Sequence, residues 1–192
     1  TLKKNENYLV TMIKAIITDF DGTLVDTFEA NLATYQKVLG DLGVELSREK
    51  YRECFGLRFD AFMTAVGIDD DQRRNHIKEL KTALYPSFFE KLLPNKVLID
   101  FLMTLRSSGV KIAIASTARK ENLMNVLRYL RLDESFDLIM AGVNVSKGKP
   151  DPEIYTLTMS RLGVSPDDVL IFEDSQVGLQ AAEASGAKYI KI

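Results

Sequence analysis

Apolar residues along this chain follow two alternating patterns. Short, nearly unbroken runs occupy 13–20, 110–115, 138–141, 169–172 and 189–192. Their length and continuity are those of strands buried on both faces of a parallel sheet. Between the later runs the apolar positions change to helical spacing, across 97–105 and again at Leu123, Val126, Leu127 and Leu130. Asp151 is placed to cap a further helix, with Pro152 at its first position, running through Ile154, Leu157 and Leu162. Ser175 is placed to cap another, which Gly186 ends. Strand and helix alternating in this way predict an α/β fold, a parallel sheet with helices on both faces.

Residues 27–92 break the alternation and contain no convincing strand. Phe28, Leu32, Tyr35 and Leu39 mark one helix face, Phe55, Phe59, Phe62 and Val66 a second, and Ile77, Leu80 and Leu84 a third. The segment is too long for a single crossover helix. It predicts a small helical domain, 27–92, inserted after the first strand of a core made of 12–26 and 93–192. The expected hinges are 25–27 and 92–95, the latter marked by Pro94. Residues 1–11 are polar and lack a signal-peptide apolar region; they are expected to be an N-terminal extension.

Composition narrows the function classes. Apolar residues make up 46% and charged residues 27%, which fits an ordinary globular chain of 192 residues. Lys and Arg total 25 against 27 Asp and Glu, a formal charge of −2, so no basic excess favours nucleic acid. The single cysteine, Cys54, excludes an internal disulfide and a thiolate cluster, and fits a cytoplasmic setting. No apolar run approaches a membrane span.

Candidate chemistry sits where the apolar runs end. Asp19-Phe20-Asp21-Gly22-Thr23 closes the first run. In extended chain, residues two apart point the same way, so Asp19 and Asp21 are expected to project from the carboxyl edge of the sheet, where open α/β folds bind ligands. Phe172-Glu173-Asp174-Ser175 repeats this arrangement before a helix. Either motif alone reads equally as an acidic turn or helix start. Together they bring four carboxylates toward one place. Two like charges about 4 Å apart repel by roughly 4 kcal/mol at an effective dielectric of 20. A hard divalent cation would relieve that, and Mg²⁺ suits a site that also handles phosphate. Ser116-Thr117, after the run 110–115, offers a hydroxyl and a backbone N–H to phosphoryl oxygens. In Lys147-Gly148-Lys149-Pro150-Asp151-Pro152 the prolines stiffen a loop that holds a lysine near the acids. Physics alone does not choose between Lys147 and Lys149.

These four elements, in this order, resemble the haloacid dehalogenase superfamily of phosphatases and phosphomutases. The resemblance rests on Asp-Phe-Asp-Gly-Thr-Leu with Val-Asp following, Ser116-Thr117, Gly148-Lys149-Pro150-Asp151-Pro152, and Glu173-Asp174-Ser175 with Gly178, Ala181, Ala182 and Gly186. It spans 13–192. The helical insert is similar to the cap of the subgroup that resembles phosphoglycolate phosphatase and β-phosphoglucomutase. The resemblance implies a Rossmann-like core with an α-helical cap. It implies that Asp19 is the nucleophile that becomes an aspartyl phosphate, and that Asp21 is the general acid/base and offers a backbone carbonyl to Mg²⁺. Ser116 would hold the phosphoryl group with Thr117 beside it. Lys149 would be the motif lysine. Asp174 would be a metal ligand, and Glu173 a direct or water-mediated one. An acid at position 21 argues against a dehalogenase and suits phosphoryl chemistry.

In the cap the match is looser. Phe55-Gly56-Leu57-Arg58-Phe59 resembles a glycine-containing substrate loop. Mutase-like members carry a further Arg where this chain has Phe59, which weakens the mutase reading. Arg58 either faces a second anionic group of the substrate or lies at the surface. His76 sits among Arg73, Arg74 and Lys78 on a solvated face and is assigned no catalytic role. Relatives in the family usually continue beyond the strand that ends here at Ile192, so the chain is expected to be short there. The expected activity is a Mg²⁺-dependent phosphatase acting on a small phosphorylated metabolite. A phosphosugar mutase is the nearest alternative, a receiver-like phosphoacceptor domain the alternative of another class, and an inactive binding protein on the same fold a third.

Overall fold

The computed structural model describes residues 13–192; the expected extension at 1–11 lies outside them. β1 (Ala15–Thr18) forms where the first apolar run predicts it, four residues long and buried throughout. A two-residue strand, β2 (Val25–Asp26), follows the acidic motif, and then four helices: α1 (Phe28–Asp41), α2 (Arg48–Cys54), α3 (Phe59–Ala65) and α4 (Asp71–Leu84). A 3₁₀ segment, Tyr85–Lys91, leads to β3 (Leu93–Pro94). The chain then alternates through α5 (Lys96–Ser107), β4 (Lys111–Ala115), α6 (Lys120–Tyr129), β5 (Leu138–Met140), α7 (Glu153–Leu162), β6 (Val169–Glu173), α8 (Gln176–Ala184) and β7 (Lys188–Lys191).

The main sheet is parallel, in the order β5-β4-β1-β6-β7. β1 is central, with β4 on one side and β6 on the other. Its residues alternate between two cores, as the period of a strand requires. Ile16 points with Ile112, Ile114 and Phe172 into the layer of α5 and α6. Ala15 and Ile17 point with Ala113, Ala115, Val169 and Ile171 into the layer of α7 and α8. Helices on both faces leave the carboxyl edge of the strands open for a ligand.

The helical insert differs in detail from the spacing-based expectation. Phe55 does not share a helix with Phe59 and Phe62. It ends α2, and Gly56 turns the chain at φ +87 before α3 begins. Helix α2 itself lacks a clear apolar stripe, so periodicity gave no sign of it. A third core gathers Leu39, Tyr51, Phe62, Met63 and Ile77 from all four helices. Ala30, Tyr85 and Phe89 pack instead into the core beside α5 and α6, so the insert is seated on the sheet layer. The expected hinges meet each other: β2 and β3 pair antiparallel, Val25 against Pro94 and Asp26 against Leu93. Helix α7 starts one residue later than expected, with Pro152 at the cap; Asp151 Oδ1 still accepts the Glu153 N–H at 3.0 Å. Ser175 caps α8 as expected, accepting the Gly178 N–H at 3.1 Å.

Leu102 on α5 is fully buried in the core beside β1. Its truncation leaves a cavity that a packed layer fills only in part. Leu102→Ala is expected to lower stability by about 2–5 kcal/mol. In a urea titration the midpoint should fall while the slope stays constant.

Candidate active site

The acidic motif forms because the chain must leave β1 abruptly. Asp19 still donates its N–H to the Phe172 carbonyl at 2.9 Å, so it extends the strand by one ladder bond. The chain then folds back on itself: Leu24 and Val25 both donate N–H groups to the Phe20 carbonyl. Gly22 makes this turn at φ +93, and a Cβ there would lie 2.3 Å from an Asp174 carboxylate oxygen. Only glycine fits both constraints. Thr23 Oγ1 donates to Asp174 Oδ1 at 2.9 Å and ties the first motif to the last.

Lys149 stands at the centre of the site. Its Nζ lies 2.5 Å from Asp19 Oδ1 and 2.6 Å from Glu173 Oε2, and its side chain is only 5% exposed. Lys147, by contrast, is exposed and pairs with Asp151 at 3.6 Å, which settles which lysine belongs to the site. The loop that carries them is fixed by Glu153. Its carboxylate accepts from the Ser146 and Lys147 N–H groups and from the Ser146 hydroxyl.

Glu173 is wholly buried and saturated with donors. Its Oε1 accepts from Asp174 N, Ser175 N and Ser175 Oγ, and its Oε2 from Lys149 and the Tyr155 hydroxyl. Its carboxyl group rests on the first turn of α8, where a Cβ at Gly178 would sit 2.0 Å from Glu173 Cδ. Asp21 turns to the other side. Its Oδ1 accepts from Thr27 Oγ1 at 2.5 Å, and Ser116 Oγ lies 3.5 Å from its Oδ2. Ser116 Oγ also accepts the Ala118 N–H, which orders the turn after β4.

Charges in the site are out of balance. Burial pushes Asp19 well above the usual carboxylate range; Lys149 opposes this, while Glu173 and Asp21 add to it. Burial likewise raises Asp21, against the hydrogen bond from Thr27, and raises Asp174, against the one from Thr23. Lys149 loses hydration on burial, but Asp19, Tyr155 and Glu173 outweigh that loss and hold it well above an ordinary lysine. Oxygens of Asp19, Glu173 and Asp174 lie within 4.8 Å of one another. Glu173, by contrast, overcomes its burial: Lys149 and its other donors hold it below the usual range. An all-oxygen cluster in which burial raises Asp19 and Asp174 fits a small, hard dication such as Mg²⁺, which would restore their charge.

A cavity of about 160 Å³ opens over these groups. Asp19, Asp21, Ser116, Thr117, Lys149 and Asp174 line its floor, and α1, α2, α3 and α4 supply its roof. Arg58 lies elsewhere. It is exposed and donates to the Ser146 carbonyl at 3.3 Å, bridging the helical insert to the Lys149 loop beside a neighbouring cleft. His76 is exposed on α4, as expected.

Three roof and wall residues escaped sequence reasoning. Lys81 is buried on α4, with its Nζ 3.4 Å from the Tyr85 ring centroid. Burial pushes it down to about 7; Asp21 opposes this and Arg119 adds to it. A signal existed: Lys81 lies one turn beyond Ile77 on the apolar stripe of its helix, an unusual place for a lysine. Arg119 donates to the Lys78 carbonyl and to Thr82 Oγ1, clasping α4 from the core side. Asn122 Oδ1 is the one buried side-chain polar atom without a hydrogen-bond partner among the described residues, and Asn122 borders the cavity. No local pattern marks either residue.

Comparisons with known proteins point to one family. Residues 16–192 match the family model for haloacid dehalogenase-like hydrolases. A phosphorylated carbohydrates phosphatase from Thermotoga maritima is 32% identical over 182 residues, covering 93% of this chain and 84% of that one. A β-phosphoglucomutase from Bacillus subtilis is 27% identical, covering 91% and 80%. The crystal structure of CbbY from Rhodobacter sphaeroides in complex with phosphate superposes with a TM-score of 0.84 at 29% identity, covering 94% of this chain and 86% of that one.

Lys81 gives the fold a defined pH response. Folded, it releases its proton near pH 7, whereas the unfolded chain keeps it to about 10.5. Across that window the unfolded state binds more protons, so stability rises with pH. Relative to Lys81→Met, the wild type should gain up to about 1.4 kcal/mol per pH unit between pH 7 and 10. Urea titrations of both proteins at several pH values test this, and a constant difference would rule it out.

Proposed function

The chain belongs to the haloacid dehalogenase-like hydrolases, and from that premise we propose that it is a Mg²⁺-dependent phosphatase of a small phosphorylated carbohydrate, working through an aspartyl phosphate on Asp19. The observation that carries this reading is the division of labour between two adjacent acids. Asp19 is bound to Lys149, while Asp21 is turned toward Thr27 and Ser116, and both face one cavity. A nucleophile must be anionic and a general acid must hold a proton. Lys149 draws Asp19 toward the first state against its burial, and a dication at the site would draw it further; Asp21, raised by burial and hydrogen-bonded to hydroxyls rather than to a cation, favours the second.

In this mechanism Asp19 attacks phosphorus in line, and the bond to the leaving oxygen breaks as Asp21 delivers its proton there. Asp21 then takes a proton from water, which attacks the aspartyl phosphate and frees inorganic phosphate. Lys149, the Ser116 hydroxyl and the Thr117 N–H hold the phosphoryl oxygens throughout. Asp19, Asp174 and the Asp21 backbone carbonyl would hold Mg²⁺, with Glu173, whose oxygens already accept five donors, reaching it through water, and the ion would neutralise developing charge. Residues 27–92 act as a cap that shuts the cavity from bulk water.

A cavity of about 160 Å³ suits a small metabolite rather than a larger ligand. Asn122 Oδ1 calls for a donor such as a sugar hydroxyl, and Lys81 for an oxygen acceptor. Phe59 stands where a mutase would need a second arginine. It packs instead against Lys78, whose Nζ is 4.7 Å from its ring centroid. The buried Cys54 thiol is free, which suits the cytoplasm.

Asp19→Asn is expected to abolish phosphate release from phosphorylated carbohydrates while leaving the circular dichroism spectrum unchanged. Turnover by the clean variant would remove Asp19 as the nucleophile. Product analysis of the wild type should find free inorganic phosphate. An isomerised sugar phosphate in its place would mark a mutase.

A further inference from the structure

Tyr155 is completely buried beneath the site, and the reaction described above assigns it no task. It projects from the first turn of α7. Its hydroxyl donates to Glu173 Oε2 at 2.5 Å, the same oxygen that accepts from Lys149 Nζ at 2.6 Å. Its ring centroid stands 4.9 Å from that Nζ. One side chain therefore touches both the acid and the lysine that flank Asp19.

From these contacts we infer that Tyr155 is a positioning residue: its phenol shares the charge of Glu173 Oε2, and its ring seats Lys149, so that the ammonium group stays on Asp19 and keeps a donor for the phosphoryl group. The argument is one of donors and acceptors. Lysine has three N–H donors. Asp19 takes one and Glu173 another, leaving a third for the substrate. Glu173 cannot turn away, because Oε1 is held by three donors from Asp174 and Ser175, and Gly178 lies against its carboxyl carbon. Its remaining oxygen faces Lys149 alone unless Tyr155 supplies a second donor. Without the phenol, the undivided charge on Oε2 draws Nζ toward Glu173 and away from Asp19. A buried phenol left unpaired would be costly, so the bond is held firmly from both ends. The ring adds a face that attracts the cation from below.

This inference rests on the phosphatase reading, and its test separates the two. Tyr155→Phe keeps the ring and its volume and removes only the hydroxyl. The expected result is a fall in kcat of roughly 10- to 100-fold, the usual effect of losing a hydrogen bond behind a reacting group. Affinity for inorganic phosphate, measured by calorimetry with Mg²⁺ present and no turnover, should weaken severalfold. A role in packing alone would move the thermal midpoint and leave both of these quantities in place. Because Tyr155 acts through Glu173, adding Tyr155→Phe to Glu173→Gln should cost little beyond the single Glu173→Gln change. Wild-type-like kcat and phosphate affinity in folded Tyr155→Phe, or full additivity of the two changes, would overturn the assignment. If the wild type itself binds phosphate yet hydrolyses no phosphorylated carbohydrate, the phosphatase reading falls, and the phosphate affinities still judge Tyr155.

Discussion

A buried ammonium group shared between two buried carboxylates is the contact on which the rest of this site depends. Lys149 bonds Asp19 on one side and Glu173 on the other, almost out of reach of water. Taking these charges out of water is expensive, and the pairing repays that only when the geometry is fixed and the remaining donors and acceptors are satisfied. Much of the local architecture serves that condition. The Glu153 carboxylate ties down the loop that carries Lys149. Ser175 and the first turn of α8 hold Glu173, and Gly178 makes room for it. Tyr155 closes the arrangement from the first turn of α7.

One lysine does not neutralise four acids. Asp19, Asp21 and Asp174 are all raised by burial, so the site holds a standing demand for positive charge. That demand gives the site its chemistry. On the proposed reading, a dication and a phosphoryl group arriving together would add charge of both signs where the protein has fixed dipoles and donors ready for it. Geometry, not charge, divides Asp19 from Asp21. Two residues apart in sequence, they meet different partners because the chain turns sharply at Gly22.

The sheet and the helical insert contribute in different ways. β1 lies between β4 and β6, so loops from three adjacent parallel strands reach the same edge. The insert leaves and rejoins the core through the paired β2 and β3, which keeps its two connections together. It brings aromatic rings and Lys81 over the cavity, and Arg119 of the core clasps its last helix. In the proposed mechanism the core therefore supplies the phosphoryl chemistry, and the insert bounds the rest of the cavity.

Reading the chain alone was enough for the five strands of the main sheet, though not for the short β2 and β3, and for the acids and serine at their ends. The reason is physical: buried strands are short apolar runs, and a polar group directly after one lies at the sheet edge. Caps such as Ser175 were legible because capping is local. Family resemblance implied the roles proposed for Asp19, Asp21, Ser116, Lys149 and Asp174, and local physics left Lys147 and Lys149 equal. Folding separated them by burying one against Asp19 and leaving the other on Asp151. The same holds for Arg58, placed on the Ser146 carbonyl, and for Lys81, Asn122 and Tyr155. Their parts depend on which distant element packs against them, and contacts such as Tyr155 to Glu173 join helices and strands that no periodicity relates. Sequence determined the main sheet and the polar groups at its edge; only tertiary packing decided which side chains hold those groups in register.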